Sequence, residues 1–91
     1  MKSLPEDVAP YRQSPEFSES TIPAGLLGAH TTKAGVWGRI RVLEGSLLYR
    51  VLEPVVEEWL LEPGVDGIVE PGIEHQVEVC GPTRFLVEFL R

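Results

Sequence analysis

From Gly25 onward, breaker residues cut this chain into pieces too short for helices of ordinary length: Glu44-Gly45-Ser46, Pro54, Glu62-Pro63-Gly64, Pro71-Gly72 and Gly81-Pro82. Proline supplies no backbone N–H and fixes its own φ, while glycine reaches the left-handed turn conformations that other residues avoid. The pieces between the breaks are strand-length and alternate. In VWGRIRVLE, Val36, Ile40 and Val42 share one face with Gly38 between them, and Trp37, Arg39, Arg41 and Leu43 share the other. In LLYRVLE, Leu47, Tyr49 and Val51 alternate with Leu48, Arg50 and Leu52. VVEEWLLE has room for one or two helical turns, but Pro54 and Pro63-Gly64 fence it tightly. A short run at Gly67–Glu70, then HQVEVC and RFLVEFLR, bring the total to about six or seven strands. Short strands at regular spacing predict an all-β sandwich or barrel over residues 25–91.

Residues 1–24 read differently. They hold four of the eight prolines, Pro5, Pro10, Pro15 and Pro23, and show neither a helical nor a strand period. An extended arm is expected, lying over the sheets or on a partner subunit and anchored by Tyr11, Phe17 and Ile22; plain disorder is the alternative. At 91 residues there is room for one core only. A core that small gives marginal stability, and with a single cysteine, Cys80, no intrachain disulfide can add to it. The lone cysteine, the polar N-terminus and the lack of a long apolar run predict a soluble protein of the reducing cytoplasm, with no membrane partner. Fourteen acidic residues against eight basic ones give a net charge of −6, which argues against nucleic acid, whose binding draws on Lys and Arg at phosphates.

Two histidines carry the chemical interest. In HQVEVC, His75 shares a face with Val77 and Val79, so alternation points it inward, just after the Pro71-Gly72 turn. Such an imidazole is either a metal ligand at the rim of a cavity or a core histidine bonded to a carbonyl. His30 ends the run AGLLGAH, sharing a face with Leu26 and Gly28. A metal site needs a third ligand, and the carboxylates to test are Glu78 and Glu88. Glu78 lies on the face opposite His75 in a regular strand and turns inward only through a bulge. Glu88 sits between Leu86 and Leu90 on a strand whose two faces are both apolar. Trp37, Arg39 and Arg41 alternate on one face, either as an aromatic–arginine grip on an anionic ligand or as a solvated outer face. Cys80 has no base beside it in sequence and reads as a partly buried filler.

The run from His30 through Lys33, Gly35, Trp37-Gly38-Arg39 and Val42-Leu43-Glu44-Gly45, followed by Glu70-Pro71 and His75-Gln76-Val77-Glu78, resembles the TehB/YeaR-like domain family. The resemblance spans nearly the whole chain and implies a small cupin-type, jelly-roll-like β-barrel or sandwich. Of the two cupin motifs, the Pro-Gly turn before an inward histidine fits Pro71-Gly72-Ile73-Glu74-His75. The other is present only in its ending, Val42-Leu43-Glu44-Gly45. Gly38 stands where that motif has glutamate, and His30 alone stands near the place of its histidine pair. By resemblance, then, His75, His30 and Glu78 are the metal-ligand candidates, with Glu88 the alternative third. One family member forms the N-terminal part of a tellurite-resistance methyltransferase; the glycine-rich cofactor segment of such an enzyme has no counterpart here.

These readings converge on a cupin-like domain binding a small molecule or anion through a divalent metal, Zn, Ni or Fe, with a link to tellurite or stress responses. Whether it is an enzyme stays open. The alternative is a non-catalytic sensing or dimerisation module with an empty pocket. A homodimer is expected, because the arm and the apolar face at Leu86 and Leu90 leave surface to cover.

Overall fold

The computed structural model describes residues 1–91. Eight strands form two sheets: β1 Pro10–Gln13, β2 Phe17–Ser18, β3 Trp37–Glu44, β4 Leu47–Val51, β5 Glu57–Leu61, β6 Gly67–Val69, β7 His75–Val79 and β8 Arg84–Leu90. One four-residue helical turn, α1 at Ala24–Leu27, lies between β2 and β3. The first sheet runs β1-β8-β3-β6, with β2 also pairing β8, and the second runs β5-β4-β7. All these pairings are antiparallel. The all-β reading holds, as two facing sheets rather than a closed barrel. No helix is long and apolar enough to cross a membrane.

The alternation seen in the sequence sets the faces. Ile40 and Val42 of β3, Leu47 and Tyr49 of β4, Leu61 of β5, Val69 of β6, Val77 of β7 and Phe85 of β8 form one buried cluster between the sheets. Close approach at β6 requires a glycine: a Cβ on Gly67 would come within 2.7 Å of Leu61 Cδ1 and 3.1 Å of Tyr49 Cδ2. The Tyr49 hydroxyl donates to the Ile68 carbonyl at 2.9 Å, tying the second sheet to the first. Burial, with a smaller push from Glu70, drives its phenol pKa upward, so it stays a donor. VVEEWLLE contributes β5, because Leu47↔Leu61 and Tyr49↔Trp59 register fixes it as a partner of β4.

The first 24 residues carry order that no side-chain period announces. β1 and β2 pair with β8, and Pro10 sits at the first position of its strand, where a missing N–H is tolerated. The Phe17 ring meets Phe85 at 5.6 Å. Farther out, Ala9 and Arg91 exchange backbone hydrogen bonds at 3.2 Å, and Lys2 pairs with Glu70 at 3.3 Å. Leu86 and Leu90 are only 7% and 2% exposed within the single chain. The outward apolar face from which the sequence argues for a second subunit is thus already covered.

Candidate functional site

His30 and His75 are brought together by the backbone. The two residues form an antiparallel bridge, each N–H donating to the other's carbonyl at 3.0 Å. This places the rings 4.0 Å apart, centroid to centroid, inclined by 58°. Tyr49 stands edge-on to His75 at 5.9 Å. Each imidazole is also held by a carbonyl two residues back in its own chain: His75 Nδ1 donates to Ile73 at 2.9 Å and His30 Nδ1 to Gly28 at 3.1 Å. A carbonyl only accepts, so Nδ1 carries the proton in both rings and, in the neutral form, Nε2 keeps its lone pair. His75 is 4% exposed, and burial pulls its pKa down from 6.5 to about 4. The Ile73 hydrogen bond opposes that shift and the neighbouring His30 adds slightly to it. Near neutral pH His75 is therefore an uncharged hydrogen-bond acceptor.

The pair lines a cavity of about 510 Å³ between the sheets. Its walls are mainly apolar, with Phe17, Ile40, Val69, Val77, Phe85 and Phe89 among them. Arg12 and Lys33 also line it, and no aspartate or glutamate does. The wall formed by Tyr11, Arg12, Ser14 and Phe17 comes from the N-terminal arm. No sequence signal placed those residues at the site beyond the aromatics that gave the arm something to bury.

The carboxylates go elsewhere. β7 keeps a regular register with β4, from Val51↔His75 to Leu47↔Val79, so no bulge turns Glu78 inward and it stays exposed on the outer face. Glu88 lies on the outer side of β8, where Arg39 Nε donates to it at 3.0 Å and Arg41 stands at 3.5 Å. Arg39 and Trp37 occupy that same outer side of β3, and neither lines the histidine cavity. Cys80, expected to be a partly buried filler, is exposed. Nowhere do three or more His, Cys, Asp or Glu residues gather as a group able to hold a metal ion. The expected Zn, Ni or Fe centre of His30, His75 and Glu78 or Glu88 is overturned: strand alternation sends both glutamates to the outer faces, leaving two ligands where three are needed.

The family model of the TehB-like domain matches residues 12–87. The chain belongs to the TehB-like domain family. Two Haemophilus influenzae relatives of this TehB-like chain, each named probable S-adenosyl-L-methionine-dependent methyltransferase TehB, are 35% identical over 72 residues. The match covers 75% of this chain and 25% of each relative, so the chain spans about a quarter of the length of the curated relatives it matches. Among solved structures, a protein from E. coli superposes with a TM-score of 0.90 at 25% identity, covering all of this chain and 97% of that one. The crystal structure of TehB from Haemophilus influenzae gives 0.85 at 28% identity, over 93% of this chain and 32% of that one. These relatives correct the expectation of a cupin-like, metal-dependent binder of small molecules or anions, since they point to methyl transfer.

Proposed function

We propose that this TehB-like chain serves S-adenosyl-L-methionine-dependent methyl transfer as the part that holds the methyl acceptor, while the cofactor is bound by a separate methyltransferase unit. The cavity at the His30–His75 pair carries this reading: it is preformed, apolar, and furnished with a few convergent polar groups. The relatives' names supply the reaction class.

The cofactor itself does not fit these residues. S-adenosyl-L-methionine brings a sulfonium and an ammonium group, and the cavity offers Arg12 and Lys33 but no carboxylate to meet them. The only helix is the single turn Ala24–Leu27, so no strand–glycine loop–helix cradle is present either. A reducing cytoplasmic setting agrees with the free Cys80.

The test is a replacement: Haemophilus influenzae TehB with its matching quarter exchanged for this chain, assayed for transfer of labelled methyl groups into the small-molecule fraction of a cell extract. The exchanged enzyme should work within about threefold of its parent. The same enzyme with His75→Phe, shown folded by circular dichroism, should fall at least tenfold. Undiminished transfer by the His75→Phe version would refute the acceptor role.

A further inference from the structure

The outer edge of a β-sheet is a row of unpaired backbone groups that can pair with another chain, and three of the four edges in this fold are blunted. β1 begins at Pro10, and its register with β8 slips between Pro10 and Arg12. β6 is three residues long, and its Ile68 N–H is already donated to Met1 Sδ at 3.0 Å. β7 starts at the His30 bridge, with α1 packed beside it. β5 has none of these guards. It runs Glu57–Leu61 in unbroken register with β4, and Pro54 and Pro63 both lie outside it. Four of the seven large apolar residues that stand exposed, Val55, Val56, Leu60 and Val65, lie on or beside this strand.

The charges along β5 are complementary to a second copy of the same strand in one register. A two-fold axis perpendicular to the sheet puts one residue opposite its own copy, because side chains keep their face across an antiparallel pair. With Glu57 or Glu58 on the axis, that carboxylate faces itself, and with Leu60 there Glu58 faces Glu62. Like charges directly opposite are destabilising. Leu61 on the axis leaves the rest of β5 unpaired. Trp59 on the axis pairs the whole strand: Glu57 meets Leu61, Glu58 meets Leu60, and Glu62 just beyond it meets Val56. No two glutamates then oppose each other. Glu58 is moreover neutralised within its own chain, by Arg50 Nη2 at 2.6 Å and Nε at 2.7 Å.

We infer that β5 is the interface between two copies of this chain, pairing antiparallel with itself about Trp59 and joining two three-stranded sheets into one. Trp59 is partly buried and stands 6.0 Å from Tyr49; across the axis it meets its own copy as an aromatic pair at the centre of the interface. Trp59 and Glu57 also line a second cavity, of about 540 Å³, so each copy adds its Trp59 to the rim of the other's cavity. The surface is distinct from Leu86 and Leu90, which the chain covers by itself. Five paired residues make a small interface, so association at about 10 μM is expected.

Sedimentation equilibrium on the full chain should show a dimer at about 100 μM that reverts to monomer at about 1 μM. Leu60→Glu, at an exposed position, sets a carboxylate opposite Glu58 twice in each dimer and should weaken association about tenfold or more, with an unchanged circular dichroism spectrum. Because that variant could fail to fold, the register has a readout of its own. In a Cys80→Ser background, Glu58→Cys chains mixed with Leu60→Cys chains should form interchain disulfides about fivefold faster than either variant alone, since those two positions face each other only with Trp59 on the axis. A monomer at about 100 μM, whose open edge would then serve a different protein, overturns the inference. So does a dimer indifferent to Leu60→Glu, or cross-linking no faster in the mixture than in its components.

Discussion

Lowering the pH should destabilise the fold through His75, and the size of that effect follows from its burial. The ring is 4% exposed, and its pKa falls from 6.5 to about 4 on folding, chiefly by desolvation. A depressed folded pKa means that the unfolded chain binds the proton more tightly. The stabilisation is therefore complete above pH 6.5 and drains away as pH falls towards 4. With those two values, linkage gives a loss of about 2 kcal/mol by pH 5 and about 3 kcal/mol by pH 4. Carboxylates titrate in the same range, so the comparison is with His75→Asn, whose amide N–H can replace Nδ1 at the Ile73 carbonyl without taking up a proton. Urea unfolding at several values from pH 7.5 to 4 should show wild type losing about 3 kcal/mol more than the variant across that span. Parallel curves for the two proteins would refute the burial argument, as would a His75 titration midpoint near 6.5 followed by NMR in the folded protein.

Gly45→Ala should cost about 3 kcal/mol or more in urea unfolding: φ is +76° there, and a Cβ would run into the Pro82 carbonyl oxygen, with Thr83 Cα at 3.1 Å. A loss below about 0.5 kcal/mol would show that the β3–β4 turn relaxes freely. On the outer face, Arg39→Ala should remove about 1 kcal/mol of stability, read by urea unfolding, with its Glu88 hydrogen bond. An unchanged urea midpoint in that variant would show that the Arg39–Glu88 bond contributes nothing to the fold.

The strands could be read from the sequence because strand structure leaves a local trace. Gly45, Pro63-Gly64, Pro71-Gly72 and Gly81-Pro82 mark turns, and period-two alternation between them assigns faces without knowledge of any partner. That is why His75 was placed inward and Glu78 outward, as the structure has them. The arm gave no such trace. β1 and β2 are held on β8 largely by main-chain hydrogen bonds, which any sequence that avoids blocking them can make, so no alternation needs to appear. Glu88 was ambiguous for a related reason: both sides of β8 are apolar because both are covered, and alternation cannot say which cover is the core.

The metal expectation failed at the step from residue type to geometry. Histidine and glutamate are the right chemistry for a metal, but a site needs their side chains to converge, and the pleat holds successive residues of β7 apart on opposite faces. Only the fold reveals the groups that do converge with the histidines, among them Arg12 and Phe17, drawn from the distant N-terminal arm.

By itself, then, the sequence determined an all-β chain, its turns, and an inward imidazole after the Pro71-Gly72 turn, because each of these depends on neighbours within a few residues. Tertiary structure alone decided that His30 lies against His75, that the carboxylates end on the outer faces, and that the arm closes one wall of the cavity. Those outcomes depend on which distant strands pair and in what register, a choice made by the packing of the whole core and not recorded in any local period.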